Sequence, residues 1–147
     1  MNLFALFFPI LLALFVRGAA ADPLPEVVMH KDPNCGCCSA WAEHLEANGF
    51  RVRTVSERDM QAVKRRLAVP QRLTSCHTAK VGGYVIEGHV PASAIQRLLR
   101  EKPAVAGLSV PGMPLGSPGM EVPGKKDPYD VVSFDKAGRT AVYESHR

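Results

Sequence analysis

Three of the chain's four cysteines fall within four consecutive positions, in Asn34-Cys35-Gly36-Cys37-Cys38-Ser39, and the fourth is Cys76. Three thiols this close cannot all pair with one another, and a bond between the neighbours Cys37 and Cys38 would close a strained ring. A conventional disulfide framework therefore explains the cluster poorly, and soft-metal binding or thiol redox chemistry explains it better. Gly36 allows a tight turn between Cys35 and Cys37, while the side chains of Cys37 and Cys38 diverge. Diverging thiolates suit bridging between several ions better than chelation of one.

The periodicity on either side tells what carries the cluster. Glu26-Val27-Val28-Met29-His30 reads as a strand, closed by the turn chemistry of Lys31-Asp32-Pro33-Asn34. Trp41 and Leu45 recur at helical spacing after the cysteines, and Asn48-Gly49 supplies a stop, so Cys37 and Cys38 are expected at or near a helix N-terminus. Thiols there meet orphan backbone N–H groups and the positive end of the helix dipole, which favours thiolate, the form that attacks disulfides and binds metals.

Phe50 to Val55 alternates as a strand, and Ser56-Glu57-Arg58-Asp59 resembles a capping box opening a helix to about Ala68, with Val63 and Leu67 on its apolar face and Met60 read as core. Cys76-His77 leads into a glycine-interrupted hairpin, Thr78 to Val90. Pro91 suits the first turn of a further helix striped by Ala94, Ile95, Leu98 and Leu99 and ended by Lys102-Pro103. Val105 to Pro123 reads as an irregular loop rich in Gly, Pro and Ser, with Met113 and Met120 each in a Pro-Gly-Met echo. Tyr129–Phe134 and Arg139–Tyr143 then flank a turn at Asp135-Lys136-Ala137-Gly138, a C-terminal β-hairpin that extends the sheet.

The apolar run Leu3–Val16 is shorter than the about 20 residues of a membrane span, and Ala19 and Ala21 fill small-residue cleavage positions, although no basic residue precedes the run. The organisation expected is a signal peptide over 1–21 and one metal-binding domain over 22–147, with export to the periplasm and no membrane anchor after cleavage. An oxidising compartment turns exposed cysteines into disulfides unless a metal, partner or reductant holds them. The net charge of +4 comes with Arg51, Arg53, Arg58, Lys64, Arg65 and Arg66 interleaved with acids and without aromatic residues between them, a solvated basic face and not a nucleic-acid site.

The element order β-α-β-α-β-β-α resembles a thioredoxin-like fold: an α/β architecture with a central mixed sheet flanked by helices, here with an extra Gly/Pro/Met loop and the C-terminal hairpin. That resemblance implies that the loop carrying Cys76 lies against the first cysteine motif, giving a four-sulfur constellation of Cys35, Cys37, Cys38 and Cys76. Thioredoxins carry a proline in that loop, whereas Ser75-Cys76-His77-Thr78 stands here, which counts against ordinary disulfide exchange.

Cys-Gly-Cys-Cys-x-x-Trp, Thr74-Ser75-Cys76-His77-Thr78-Ala79, Gly82-Gly83-Tyr84-Val85-Ile86-Glu87-Gly88-His89-Val90-Pro91 and Gly107-Leu108-Ser109-Val110-Pro111-Gly112-Met113-Pro114 together resemble the CopG-type periplasmic copper-resistance proteins, formerly a domain of unknown function. The likeness spans nearly the whole chain after residue 21. It implies a thioredoxin-like protein holding a copper cluster, carried over to the four cysteines alone.

The inorganic chemistry points the same way. Cu(I) is soft and selects thiolate and thioether ligands. Zinc competes, but four-cysteine zinc sites usually draw on two separated Cys-x-x-Cys pairs, and Cys-Gly-Cys-Cys with one remote cysteine fits that pattern poorly. The expected ligands are Cys35, Cys37, Cys38 and Cys76, with His77 as a nitrogen donor or an orienting neighbour, holding more than one copper ion as Cu(I); the expected partners are copper ions and other periplasmic copper-handling proteins.

His30 and His89 are weaker candidates to reach the site; His44 and His146 read as surface residues. Met113 and Met120 offer thioethers for Cu(I) transfer, against packing of a loop over the sheet. No catalytic Ser-His-Asp order, phosphate loop or carboxylate pair is present. The competing readings are a thiol–disulfide oxidoreductase and a metal-free scaffold held by two disulfides.

Overall fold

A computed structural model describes residues 22–147, and the expected signal peptide over 1–21 lies outside the described residues. The strand formers Val27-Val28-Met29 open strand β1 (Val27–Lys31), whose residues are buried alternately, and the turn after it is an aspartate turn, with Asn34 N donating to Asp32 Oδ1 at 2.8 Å and Cys35 N to Asp32 O at 3.1 Å. Helix α1 (Gly36–Ala47) starts at once, with Cys35 as its N-cap residue. Then follow β2 (Val52–Ser56), α2 (Met60–Arg66), a 3₁₀ turn (Gln71–Leu73), β3 (Thr78–Val81), β4 (Tyr84–Glu87), α3 (Ala92–Glu101), β5 (Gly107–Ser109), β6 (Tyr129–Phe134) and β7 (Thr140–His146).

The strands form one mixed seven-stranded sheet in the order β2-β1-β3-β4-β5-β6-β7. The pairs β1/β2 and β4/β5 are parallel, and the other four are antiparallel. Against one face pack α1, through Cys38, Trp41, Ala42 and Leu45, and α3, through Ala92, Ala94, Ile95 and Leu98, over Met29, Ala79, Ile86, Leu108 and Val131. The opposite face is covered by a smaller cluster around Val69, Leu73, Val85 and Phe134, with α2 burying Val63 and Lys64. No helix among the described residues is long and apolar enough to cross a membrane.

Three expectations are corrected. Residues 105–123 are not wholly irregular: β5 lies within them, fully buried, between β4 and β6. A three-residue strand buried on both faces shows no alternation, and its Gly/Pro surroundings hide it. The second helix is not opened by Ser56, which ends β2, but by Asp59, whose carboxylate accepts from Ala62 N at 2.9 Å. Asp59→Ala is expected to cost about 1 kcal/mol, read as a lower urea midpoint at unchanged slope. Finally, Lys64 does not belong to a solvated face: it is 3% exposed and paired with Glu87.

This topology gathers one end of the sheet. The C-terminal ends of β1, β4 and β5 and the N-terminal end of β3 meet there, because His30 is the register partner of Thr78 and Thr78 that of Glu87. Every segment that carries a candidate ligand leaves the sheet at that end.

Candidate metal centre

From the end of β1 the chain turns into α1 and delivers Cys35, Cys37 and Cys38; the segment before β3 delivers Cys76 and His77; the segment after β4 delivers His89. The sulfurs of Cys35, Cys37, Cys38 and Cys76 all lie within 4.8 Å of one another. Two sulfurs bound to one ion at about 2.3 Å stand at most about 4.6 Å apart, so the four are near the spacing that shared ions require. Cys35 Sγ and Cys37 Sγ are 3.5 Å apart.

Cys35 and Cys38 are joined by a disulfide, while Cys37 and Cys76 are free and half-buried. The bond closes the first turn of α1 across a Cys-x-x-Cys spacing. In the sequence the extra Cys37 inside that spacing masks it, although positions 35 and 38 carry it. In this oxidised form two of the four sulfurs are withdrawn from metal binding, and a two-electron reduction restores them as thiols.

Cys76 is the meeting point of a second group. His77 Nδ1 stands 3.2 Å from its sulfur and His89 Nε2 3.1 Å, and the three ligand atoms lie within 4.8 Å of one another. His89 Nδ1 donates to Pro118 O at 2.7 Å, since the carbonyl can only accept. The proton is thereby fixed on Nδ1, and the Nε2 lone pair faces Cys76, the orientation by which a carbonyl readies a histidine for a metal. His77 is fully buried, its ring centroid 4.4 Å from that of Trp41, and its Nε2 is buried without a hydrogen-bond partner.

Burial pushes the Cys76 thiol up to about 11, with the neighbouring Cys37 adding to the rise. The metal-free thiol is therefore protonated at neutral pH, and coordination at Cys76 displaces a proton. Burial holds the imidazole of His77 well below its ordinary value and that of His89 below it. Both rings are neutral at pH 7, the state in which imidazole nitrogen binds metal.

The Gly/Pro/Met loop closes over this end. Gly119 sits at φ +85°, and a Cβ there would stand 2.8 Å from Trp41 N and 2.9 Å from Cys37 O. Only glycine lets the loop approach the first turn of α1 so closely and carry Pro118 O to His89. The loop is also tied to the Cys76 segment, Gly112 N donating to Thr74 O at 3.1 Å and Ser75 Oγ to Gly112 O at 2.5 Å. Met113 is exposed and Met120 half-buried on it.

A family model described as a protein of unknown function, DUF411, matches residues 73–120. A solved structure named copper resistance protein CopG, form 2, is 48% identical, with 86% of this chain and 100% of that chain covered and a TM-score of 0.81. Form 1 of the same protein is 48% identical over 84% of this chain and 98% of that chain, with a TM-score of 0.79. The chain belongs to the CopG family of copper resistance proteins. No curated protein matches it.

In this CopG-family chain all five expected site residues, Cys35, Cys37, Cys38, Cys76 and His77, come to one place, and His89 joins them. His30 belongs to neither group, its Nδ1 being 2.7 Å from Glu57 Oε1. His44 is not a plain surface residue: its Nε2 accepts from Ala92 N at 3.1 Å at the start of α3, and burial lowers its pKa. Pro118, Lys64 and Glu87 also serve the site, and nothing in the sequence around them marks it. Their roles depend on contacts across 29 and 23 positions that no local pattern signals.

His77, His89 and His44 all have folded pKa values below the ordinary 6.5. Below that value the unfolded chain takes up protons that the folded chain refuses, so their contribution to stability is full above about pH 6.5 and is lost as pH falls. Glu87, raised by burial, works in the opposite direction, so the change between pH 7.5 and pH 5 is the contribution of the three rings less that of this one carboxyl. Copper-free protein is expected to unfold at lower urea at pH 5 than at pH 7.5. Equal midpoints would contradict the neutral, buried state of these rings.

Proposed function

We propose that the protein is a periplasmic copper-binding protein that holds Cu(I), more than one ion per chain, in a thiolate site serving copper resistance or homeostasis. Cys35, Cys37, Cys38 and Cys76 are the bridging ligands of the reduced protein, and His77 and His89 supply neutral nitrogen beside Cys76. The observation that carries this reading is the convergence of four sulfurs within 4.8 Å, one of which also faces two imidazole nitrogens. Copper is the cargo here, and the soft donors favour Cu(I) over harder ions. The family's solved members are named copper resistance proteins, which supports the same assignment.

Export by a signal peptide over 1–21 belongs to the reading, since it takes the thiols to a compartment where copper is met. So does a thioredoxin-like core over β1 to α3 within a single domain over 22–147. The parallel β1/β2 pair beside the antiparallel β1/β3 and β3/β4 pairs supports that core. Exchange of copper with other periplasmic proteins and a change of its oxidation state at the site are extensions of the proposal.

The Cys35–Cys38 disulfide favours a second reading, a thiol–disulfide oxidoreductase. In that cycle an external dithiol gives two electrons and two protons to the bond and leaves as a disulfide. Anaerobically reduced protein offered Cu(I) and then desalted separates the two. The copper reading predicts several ions retained per chain and negligible disulfide reductase activity; reductase turnover without retained copper would overturn it.

A further inference from the structure

Glu87, Lys64 and Thr78 form a polar group buried beneath the metal centre, on the sheet face opposite α1. Glu87 and Thr78 are fully buried and Lys64 is 3% exposed. A buried ion pair is weak evidence for stability, because desolvation of both charges offsets their attraction and an apolar pair of the same volume often serves as well. What this pair does is visible in its other bonds.

Glu87 Oε1 accepts from Lys64 Nζ at 2.5 Å and from the backbone N–H of Ser75 at 2.7 Å, while Oε2 accepts from Thr78 Oγ1 at 2.6 Å. Lys64 Nζ also donates to Thr78 Oγ1 at 3.0 Å. One carboxylate thus holds residues 75 and 78, the two ends of the four-residue segment whose middle is Cys76-His77. The main chain adds a fourth tie, Gly88 N donating to His77 O at 3.0 Å. Close packing reinforces it: a Cβ on Gly88 would stand 2.5 Å from the Ser75 side chain and 2.7 Å from Val110 O. Two residues after Glu87 comes His89, so the same strand end that supplies the carboxylate supplies the third donor of the Cys76 group.

We propose that Glu87, held in place by Lys64, is the positioning residue of the metal centre, fixing Cys76 and His77 by clamping both ends of the segment that carries them. The proposal deepens the copper-binding reading and rests on it for its metal readout. Lys64 approaches from α2 on the opposite face, which gives that short helix a part in the site although none of its residues lies among the candidate ligands. The carboxylate accepts from no ligand atom and acts through the Ser75 backbone N–H and the Thr78 hydroxyl.

Two double variants separate the clamp from its charge. Lys64→Met/Glu87→Gln removes both charges but leaves an amide that can accept from Ser75 N and meet Thr78 Oγ1. Lys64→Met/Glu87→Leu is equally neutral and keeps neither bond. Reduced, metal-free proteins are treated with iodoacetamide, and the rate at each cysteine is read by peptide mass spectrometry; Cu(I) affinity is read by competition with a colorimetric chelator.

The leucine variant is expected to alkylate Cys76 about tenfold faster than wild type, with Cys37 unchanged, through local opening of the segment, and to bind Cu(I) about 10 to 100-fold more weakly. The glutamine variant is expected to recover most of both. Wild-type Cys76 reactivity in a folded leucine variant, or equal perturbation in the two, would overturn the clamp. Should the leucine variant fail to fold, Thr78→Val removes both bonds of the Thr78 hydroxyl, to Glu87 and from Lys64, and leaves the Ser75 tie; unchanged Cys76 reactivity there would overturn the clamp. Failure of wild type to retain copper would overturn the copper reading, while the alkylation rates would still decide the clamp.

Discussion

Cys76→Ser is expected to weaken Cu(I) binding by about 100-fold or more and to lower the number of ions retained per chain, because one sulfur serves both ligand groups. Serine keeps the volume and removes the soft donor, so the loss reports ligation more than packing. In free energy this is about 2.7 kcal/mol or more of binding. Thermal stability of the copper-free protein should change little, since Cys76 is half-buried and its sulfur is not in a disulfide. Competition against a Cu(I) chelator, with copper and thiols counted on the same samples, checks both statements. A Cys76→Ser protein that retained wild-type copper would remove the remote cysteine from the site.

Trp41→Ala is expected to destabilise the copper-free fold by about 3–5 kcal/mol, the range for emptying a buried aromatic site. Trp41 is fully buried in the larger core, its Nε1 donates to Val90 O at 2.9 Å, and its ring lies against His77. The loss would be a large part of a typical domain stability of about 5–15 kcal/mol. Trp41→Phe keeps a ring beside His77 but strands the Val90 carbonyl, and about 1–3 kcal/mol is expected there. Urea midpoints at pH 7.5 measure both. An alanine variant within about 1 kcal/mol of wild type would show that the α1 face is not the core the structure describes.

Most of the element order was legible from composition and period: Val27-Val28-Met29 is a run of strand formers, residues 50–55 alternate, Trp41 and Leu45 mark a helical face, and the Ala94, Ile95, Leu98 stripe does the same for α3. What stayed hidden depends on distant partners. Lys64 has the sequence surroundings of a solvated lysine, and only the fold brings Glu87 to it. β5 carries no alternation because both its faces are covered. The cysteine cluster was legible as a site because of its density, yet the pairing of Cys35 with Cys38 was not, since three close thiols admit several arrangements. His89 illustrates the same division: its place after a hairpin strand was readable, whereas its approach to Cys76 depends on the Pro118 carbonyl carried in by a loop that only glycine at 119 allows.

The reduced chain therefore presents four sulfurs and two neutral imidazoles at one end of the sheet, and its oxidised form withdraws two of the sulfurs into a disulfide. Copper K-edge absorption on protein reduced anaerobically, loaded with Cu(I) and desalted tests the central claim most directly. The account predicts a Cu(I) edge, a first shell dominated by sulfur with a minor nitrogen component, and a copper–copper vector from thiolate bridging. A nitrogen and oxygen shell without sulfur, or a desalted protein carrying no copper, would contradict it.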